Sequence, residues 1–334
     1  MSATPALRLE QDGRECRSRL LQVLLQLPFA RRLSVLAYHR VMPQRDPLLP
    51  LEPSAAEFEE RMRWVKANFE VLPLAEAAQA LAAQRLPKRA LSITFDDGYA
   101  DNYKVAAPIL LRLGLPATFF VASGFLDGGC MFNDVVIEAL RAAPGPELDL
   151  DDLGLGRHRV GSDEERSAAI DGILAGLKYF EPERRRRVAA EVAHRAGSRT
   201  PSDLMMTSEQ VRALRAAGME VGAHTVTHPI LAEIPLARAR HEMEASRARL
   251  ERITGAPVRL FAYPNGNPRR DYYAEHAALA RELGFHAAVS TAWGAARAGD
   301  DLYQIPRFTP WDRSDWRFGL RLVHNTLRSH YARA

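Results

Sequence analysis

Seven short apolar runs, at 34–39, 91–95, 118–123, 219–225, 259–264, 285–290 and 303–308, alternate with stretches of helical periodicity. The helical stretches cover 55–68, 74–84, 103–113, 208–217, 236–254 and 272–283. Strands alternating with helices specify an α/β fold built on a parallel sheet or barrel. The punctuation agrees. Gly114, Gly218, Gly255 and Gly284 each follow a helical stretch, where a left-handed cap favours glycine. Thr207-Ser208-Glu209-Gln210 has capping-box spacing and opens the helix before the run that leads to His224.

One region breaks the rhythm. Between 127 and 203 the pattern is helical (135–142, 164–177, 183–196) with no strand, and Asp149, Asp151, Asp152, Gly154 and Gly156 read as a surface loop. A chain of 334 residues fits a single barrel carrying this region as a helical insertion. The expected division is an N-terminal helical segment at 1–33, a barrel at 34–310 with the insertion at 127–203, and a C-terminal helix at 311–334. Two cysteines, Cys16 and Cys130, make no disulfide framework. The net charge of +4 is small. The run Arg184-Arg185-Arg186-Arg187 has Glu181, Glu183 and Glu191 nearby and no interleaved aromatics, so it reads as a solvated helix face, with no nucleic-acid partner expected. The apolar stretch 20–29 is too short to cross a bilayer and lacks a signal-peptide pattern. It reads as a helix packed on the domain. Arg17, Arg19, Arg31 and Arg32 offer peripheral contact with an anionic membrane as the alternative. The expected location is cytoplasmic, or peripheral at the inner membrane.

Chemistry concentrates in three segments: Tyr38-His39, Phe95-Asp96-Asp97-Gly98 and His224-Thr225-Val226-Thr227-His228. Asp96 and Asp97 follow an apolar run, and Gly98 with Asp101-Asn102 turns the chain, so both carboxylates can reach the cleft at the strand's C-terminal end, where α/β barrels place their active sites. Carboxylates buried there need a cation or donors. His224 and His228 follow another run, and their spacing suggests one face of a helical turn. Two imidazoles and a carboxylate make three ligands with an open position, which suits a catalytic divalent metal.

Thr94-Phe95-Asp96-Asp97-Gly98 and His224-Thr225-Val226-Thr227-His228 resemble the first two motifs of the polysaccharide deacetylases, the NodB-homology enzymes of carbohydrate esterase family 4. Pro116-Ala117-Thr118-Phe119-Phe120-Val121 and Gly218-Met219-Glu220-Val221-Gly222-Ala223 match the flanking text. The resemblance implies a distorted (β/α) barrel of about seven parallel strands. It implies zinc or a similar divalent ion on Asp97, His224 and His228, and Asp96 as the base. It also implies an N-acetylated glycan or glycan precursor as substrate.

The sequence departs from the family pattern in places. Phe261-Ala262-Tyr263-Pro264-Asn265-Gly266 resembles the third motif, but Ala262 stands where many members carry the arginine that orients the base. Arg307 is a candidate spatial substitute, with a barrel-end surface arginine as the alternative. Asn265, through its backbone N–H, and Tyr263 and Arg307 are the candidates for contacting substrate or oxyanion. No Leu-x-His closing motif stands at a strand; Leu322-Val323-His324 falls in a helical segment. The early Leu36-Ala37-Tyr38-His39-Arg40-Val41 resembles the poly-N-acetylglucosamine deacetylase branch, which implies His39 as the general acid. A non-haem Fe(II) oxygenase shares the two-histidine, one-carboxylate inventory. A non-catalytic carbohydrate-binding relative is the remaining alternative.

Overall fold

The structure, a computed structural model, describes residues 31–312, 315–328 and 330–334. The expected N-terminal helix and its membrane-facing alternative fall almost entirely in 1–30, outside the described residues. The chain runs through β1 (Arg32–Tyr38), α1 (Ala55–Asn68), β2 (Glu70–Val71), α2 (Leu74–Ala82), β3 (Ala90–Phe95), α3 (Ala107–Leu113) and β4 (Thr118–Val121). Next come α4 (Phe132–Ala142), β5 (Glu147–Leu150), β6 (Gly156–Arg159), α5 (Asp163–Leu177) and α6 (Pro182–Arg195). It continues with α7 (Ser208–Ala216), β7 (Glu220–Ala223), α8 (Leu236–Thr254), β8 (Leu260–Ala262), α9 (Ala274–Glu282), β9 (Ala287–Val289), β10 (Ala296–Arg297) and α10 (Asp315–Leu327).

The main sheet has the order β10-β1-β3-β4-β7-β8-β9, with β2 also on β3. Seven of its strands are parallel, and β10 pairs antiparallel with β1. All six residues of β3 and all four of β4 are buried, as strands covered on both faces must be. The sheet curls into the expected distorted (β/α) barrel. Its seven parallel strands are not the seven apolar runs, however. The last run, 303–308, is no strand: Leu302–Gln304 is a 3₁₀ turn. Only single parallel bridges, Val289↔Ile305 and Leu36↔Phe308, tie this segment to β9 and β1. Pro306 has no N–H and interrupts the ladder. The segment still spans the gap between β9 and β1, which carries Arg307 into the barrel. Two-residue β2 makes up the number.

The helix expected at 103–113 begins instead with a π-helical turn, Asn102–Ala106. Such turns often sit beside functional sites. The insertion also differs from expectation. It contains an antiparallel hairpin, β5–β6, where a surface loop was expected, so Asp149 and Gly156 lie in strands. The alternating Leu148 and Leu150 are buried beneath it, a pattern too short to read as a strand in advance. Val136, Leu140, Ile173, Leu177 and Val192 give the insertion an apolar core of its own. No described helix is long and apolar enough to cross a membrane.

Candidate active site

β3 ends at Phe95, yet Asp96 N still bonds to Tyr38 O at 2.9 Å. Asp97 then takes φ +73° and Gly98 φ +91°. This turn brings successive carboxylates to one cleft, where a continuing strand would separate them. A Cβ at Gly98 would lie 3.0 Å from Val121 Cγ1, so the position demands glycine twice over. The chain leaving the insertion braces the same turn through Met206 N to Gly98 O at 2.9 Å.

Asp96 is buried against Arg307, which donates through Nη1 to Oδ1 at 2.7 Å and through Nη2 to Oδ2 at 2.6 Å. Arg307 is 1 % exposed. Its Nε donates to Ser290 O at 3.0 Å and its Nη1 also to Thr94 Oγ1 at 3.2 Å. Burial alone would raise the Asp96 carboxyl; Arg307 overcomes it and holds the group below the usual carboxylate range. Arg307 thus orients Asp96 from the segment that closes the barrel, where Ala262 cannot. All three of its side-chain nitrogens are engaged by protein acceptors and the side chain is buried, so the expectation of direct substrate or oxyanion contact is corrected.

Asp97, His224 and His228 converge. Asp97 Oδ1 lies 3.4 Å from each imidazole Nε2, and the two Nε2 atoms are 3.2 Å apart. His224 Nδ1 donates to Ala262 O at 2.7 Å, which leaves Nε2 as a lone pair aimed at the cluster. Burial pushes His228 down to about 4, so it is neutral near pH 7. Asp97 Oδ1 is buried and accepts no hydrogen bond among the described residues. One shared proton could satisfy a single edge of this triangle; a cation satisfies all three. Tetrahedral ligand bonds of about 2.0–2.1 Å place donor atoms about 3.3–3.4 Å apart, close to the edges observed. The donor set fits a divalent ion with a position left open for water or substrate.

The histidine pair does not meet on a helical turn, as its spacing suggested. Thr225 and His228 both adopt left-handed φ, +63° and +52°, and the chain bends irregularly between them. That conformation is costly for a β-branched residue. Glu242 of α8 holds the bend: Oε2 accepts from Val226 N and Thr227 N, both at 2.8 Å, and Oε1 from Thr227 Oγ1 at 2.7 Å. Sequence reading missed Glu242. A signal existed, because it shares a buried helical stripe with Ala239, Met243, Ser246 and Leu250.

His39 follows β1 and is partly exposed. Burial favours its neutral form, but Asp97, Asp96 and Glu52 outweigh that and raise its pKa. Its backbone is pinned by the π-helical turn: Asn102 Nδ2 donates to His39 O at 2.8 Å. Asp101 accepts from Arg40 Nε at 2.8 Å and from Val41 N at 3.2 Å. Asp101 and Asn102, read from sequence only as turn residues, thus act as supports.

The other two candidates separate. Asn265 is exposed, with φ +58°, at the C-terminal end of β8, and its N–H bonds to nothing among the described residues. It is available to a ligand. Tyr263 is fully buried; its ring stacks on Tyr272 at 3.9 Å and its hydroxyl donates to Tyr303 O at 2.9 Å. The expectation that Tyr263 contacts substrate is therefore corrected, since it is a core residue.

A family model described as polysaccharide deacetylase matches residues 83–145 and 184–288. The protein YxkH of Bacillus subtilis (strain 168), itself assigned to the polysaccharide deacetylases, is 22% identical over 278 residues, 83% of this chain and 70% of that protein. A poly-beta-1,6-N-acetyl-D-glucosamine N-deacetylase of Staphylococcus aureus (strain MSSA476) is 35% identical over 72 residues, 21% of this chain and 25% of that enzyme. Among solved structures, the Streptococcus pyogenes deacetylase PplD in complex with acetate superposes with a TM-score of 0.59 at 20% identity, covering 87% of this chain and 98% of that one. IcaB from Ammonifex degensii gives 0.56 at 20% identity, covering 89% and 98%. These two likenesses establish the shared fold.

Proposed function

Because this chain belongs to the polysaccharide deacetylase family, hydrolases that cleave the amide C–N bond of N-acetyl sugars, we propose that it is a metal-dependent N-deacetylase of amino sugars in a polysaccharide or its precursor. The observation that carries this reading is the Asp97–His224–His228 triangle with the Arg307-clamped Asp96 next to it. A glycan containing N-acetylglucosamine is the favoured substrate class, supported by the name of the staphylococcal relative. The same three donors once admitted an iron oxygenase; family membership leaves that alternative without support.

Asp97, His224 and His228 would hold the ion, and zinc best suits two imidazoles and one carboxylate. Such an ion supplies Lewis acidity, making water acidic enough to attack near neutral pH and polarising the acyl carbonyl. Asp96 is the base. Arg307 keeps it ionised and fixes its plane, while lone pairs not used by the guanidinium accept the proton of the attacking water. The Asn265 N–H, beyond the end of β8, would donate to the tetrahedral oxyanion. His39 then protonates the departing amine, with Asp96 and Glu52 as the neighbouring carboxylates that favour its charged form. Acetate release from a panel of N-acetylated polymers, oligomers and lipid- or nucleotide-linked precursors tests this function. Acetate from at least one of them is expected with metal-loaded protein, and silence across the panel would refute the reading.

Two predictions arise here. His39→Ala is expected to bind metal normally and to lose about 10²–10⁴-fold in turnover of an N-acetyl sugar. An activated aryl acetate has a leaving group that needs little protonation, so its hydrolysis should fall far less. Equal losses on both substrates would remove His39 from the acid role. Glu242→Ala is expected to loosen the 224–228 turn and weaken metal affinity about 10- to 100-fold, read by competition with a chelator. Glu242→Gln keeps one acceptor and should recover part of it. Unchanged affinity in both variants would mean that the turn holds its shape without the carboxylate.

A further inference from the structure

We propose that the corner between α5 and α6, centred on Arg185, recognises an acidic group, a carboxylate or a phosphate, carried by the glycan substrate. The proposal rests on the deacetylase reading and extends it to substrate specificity. Two cavities, of about 280 Å³ and 220 Å³, meet at Pro182 and Arg185. The larger passes Thr227 and the smaller passes Pro229 and Ile230, so together they flank the turn that presents His224 and His228.

Arg185 is an unusual member of its run. Arg184, Arg186 and Arg187 are exposed, as a solvated face should be, but Arg185 is 8 % exposed. Its Nη1 donates to Lys178 O at 3.0 Å, and its guanidinium lies over Phe132 at 4.2 Å. It forms no ion pair among the described residues. The carboxylate whose charge acts on it, Glu181, is already capping α6 by accepting from Glu183 N at 3.2 Å and Arg184 N at 3.0 Å. A guanidinium stays charged and carries five donors; this one has a single protein acceptor, and its remaining N–H groups are open to the cavity it lines. An anion entering the cavity would supply the missing acceptors, and the planar fork suits a carboxylate or phosphate.

The surroundings point the same way. The larger cavity is lined by Arg185, Arg186 and Arg238 against one carboxylate, Glu183, which pairs with Arg238 at 3.3 Å. Phe125 and Phe132 add apolar faces. The smaller cavity sets Lys178 and Arg185 against Glu181 and Glu233, so its charge is near balance and the anion is assigned to the larger one. Tyr179, on the smaller cavity, is bonded through its hydroxyl to Arg270 of the loop after β8, which ties the corner to the barrel beside the site. The family match passes over 146–183, which holds α5 and the turn into α6, and resumes at Arg184, so the arginines of the larger cavity lie within it.

The test measures kcat/KM for acetate release from three soluble oligomers. One is neutral N-acetylglucosamine, one alternates N-acetylglucosamine with glucuronate, and one links N-acetylglucosamine units by phosphodiesters. At least one acidic oligomer is expected to be preferred over the neutral one, mainly through KM. Comparison of the two acidic oligomers identifies the source of the charge. Arg185→Gln should reduce that preference about 10- to 100-fold, the range of a lost hydrogen bond to a charged group. Arg185→Lys should restore part of it. Arg186 is exposed, so a smaller loss in Arg186→Gln reports on the same cavity even where Arg185→Gln unfolds the corner. Preference for the neutral oligomer, or an acidic preference that survives both glutamine variants, would overturn the proposal and leave the deacetylase reading standing. If no oligomer releases acetate, calorimetric titration of the protein with the same three oligomers still decides. Tighter binding of an acidic oligomer, weakened by Arg185→Gln, supports the corner, and equal binding of all three overturns it.

Discussion

Asp97→Ala, His224→Ala and His228→Ala are each expected to empty the metal site and abolish acetate release. The triangle offers three donor atoms within 3.2–3.4 Å of one another, and no fourth protein ligand joins them among the described residues. Losing one leaves two, too few to hold an ion while a position stays open for chemistry. The variants should differ in stability. His224 is 1 % exposed and its Nδ1–H satisfies Ala262 O, so His224→Ala creates a cavity and strands a buried carbonyl. His228 has a side chain 19% exposed, so His228→Ala should keep the melting temperature of metal-stripped wild type and give the cleanest readout. Metal analysis, thermal melting and acetate release on the same preparations check this. Full metal occupancy in all three variants would sink the site.

The second large effect belongs to Asp96→Asn. Turnover should fall about 10²–10⁴-fold, because an amide cannot take the proton of the attacking water. Metal should remain bound, since none of the three donors changes. The structure adds a cost that sequence motifs did not signal. Arg307 is 1 % exposed and loses its charge partner, and removing one member of a buried pair typically costs about 3–5 kcal/mol. The amide oxygen retains one acceptor, so the loss should fall at or below that range. Turnover near wild type in a metal-loaded Asp96→Asn would reassign the base. Arg307→Lys, which cannot reproduce the bidentate contact, should lower turnover while leaving metal content unchanged.

Much of this architecture was legible because it rests on local signals. Apolar runs such as 91–95 and 118–123 hold strands covered on both faces, and Asp96-Asp97-Gly98 marks where a strand must stop. The unread parts depend on partners distant in sequence. Pro306 breaks a ladder that hydropathy alone would extend through 303–308. Arg307 was readable as a substitute for the base-orienting arginine, but its reach to Asp96 depends on that segment closing the barrel. The His224–His228 pair looks helical by spacing, yet its left-handed residues are stabilised by Glu242, 14 positions beyond His228. Tyr263 stands within the stretch that resembles the third motif but points into a stack with Tyr272. Arg185 sits in a run of four arginines, and nothing local distinguishes the buried one from its solvated neighbours.

The most direct test of the account is a metal titration of the wild-type chain. Protein stripped by a chelator is assayed for acetate release from an N-acetylglucosamine oligomer that the native preparation deacetylates, while zinc is added back. Stripped protein is expected to release no acetate, and activity to rise to a plateau at one equivalent of ion, with His228→Ala flat throughout. Full activity in the stripped protein, or restoration that proceeds equally in His228→Ala, would contradict it.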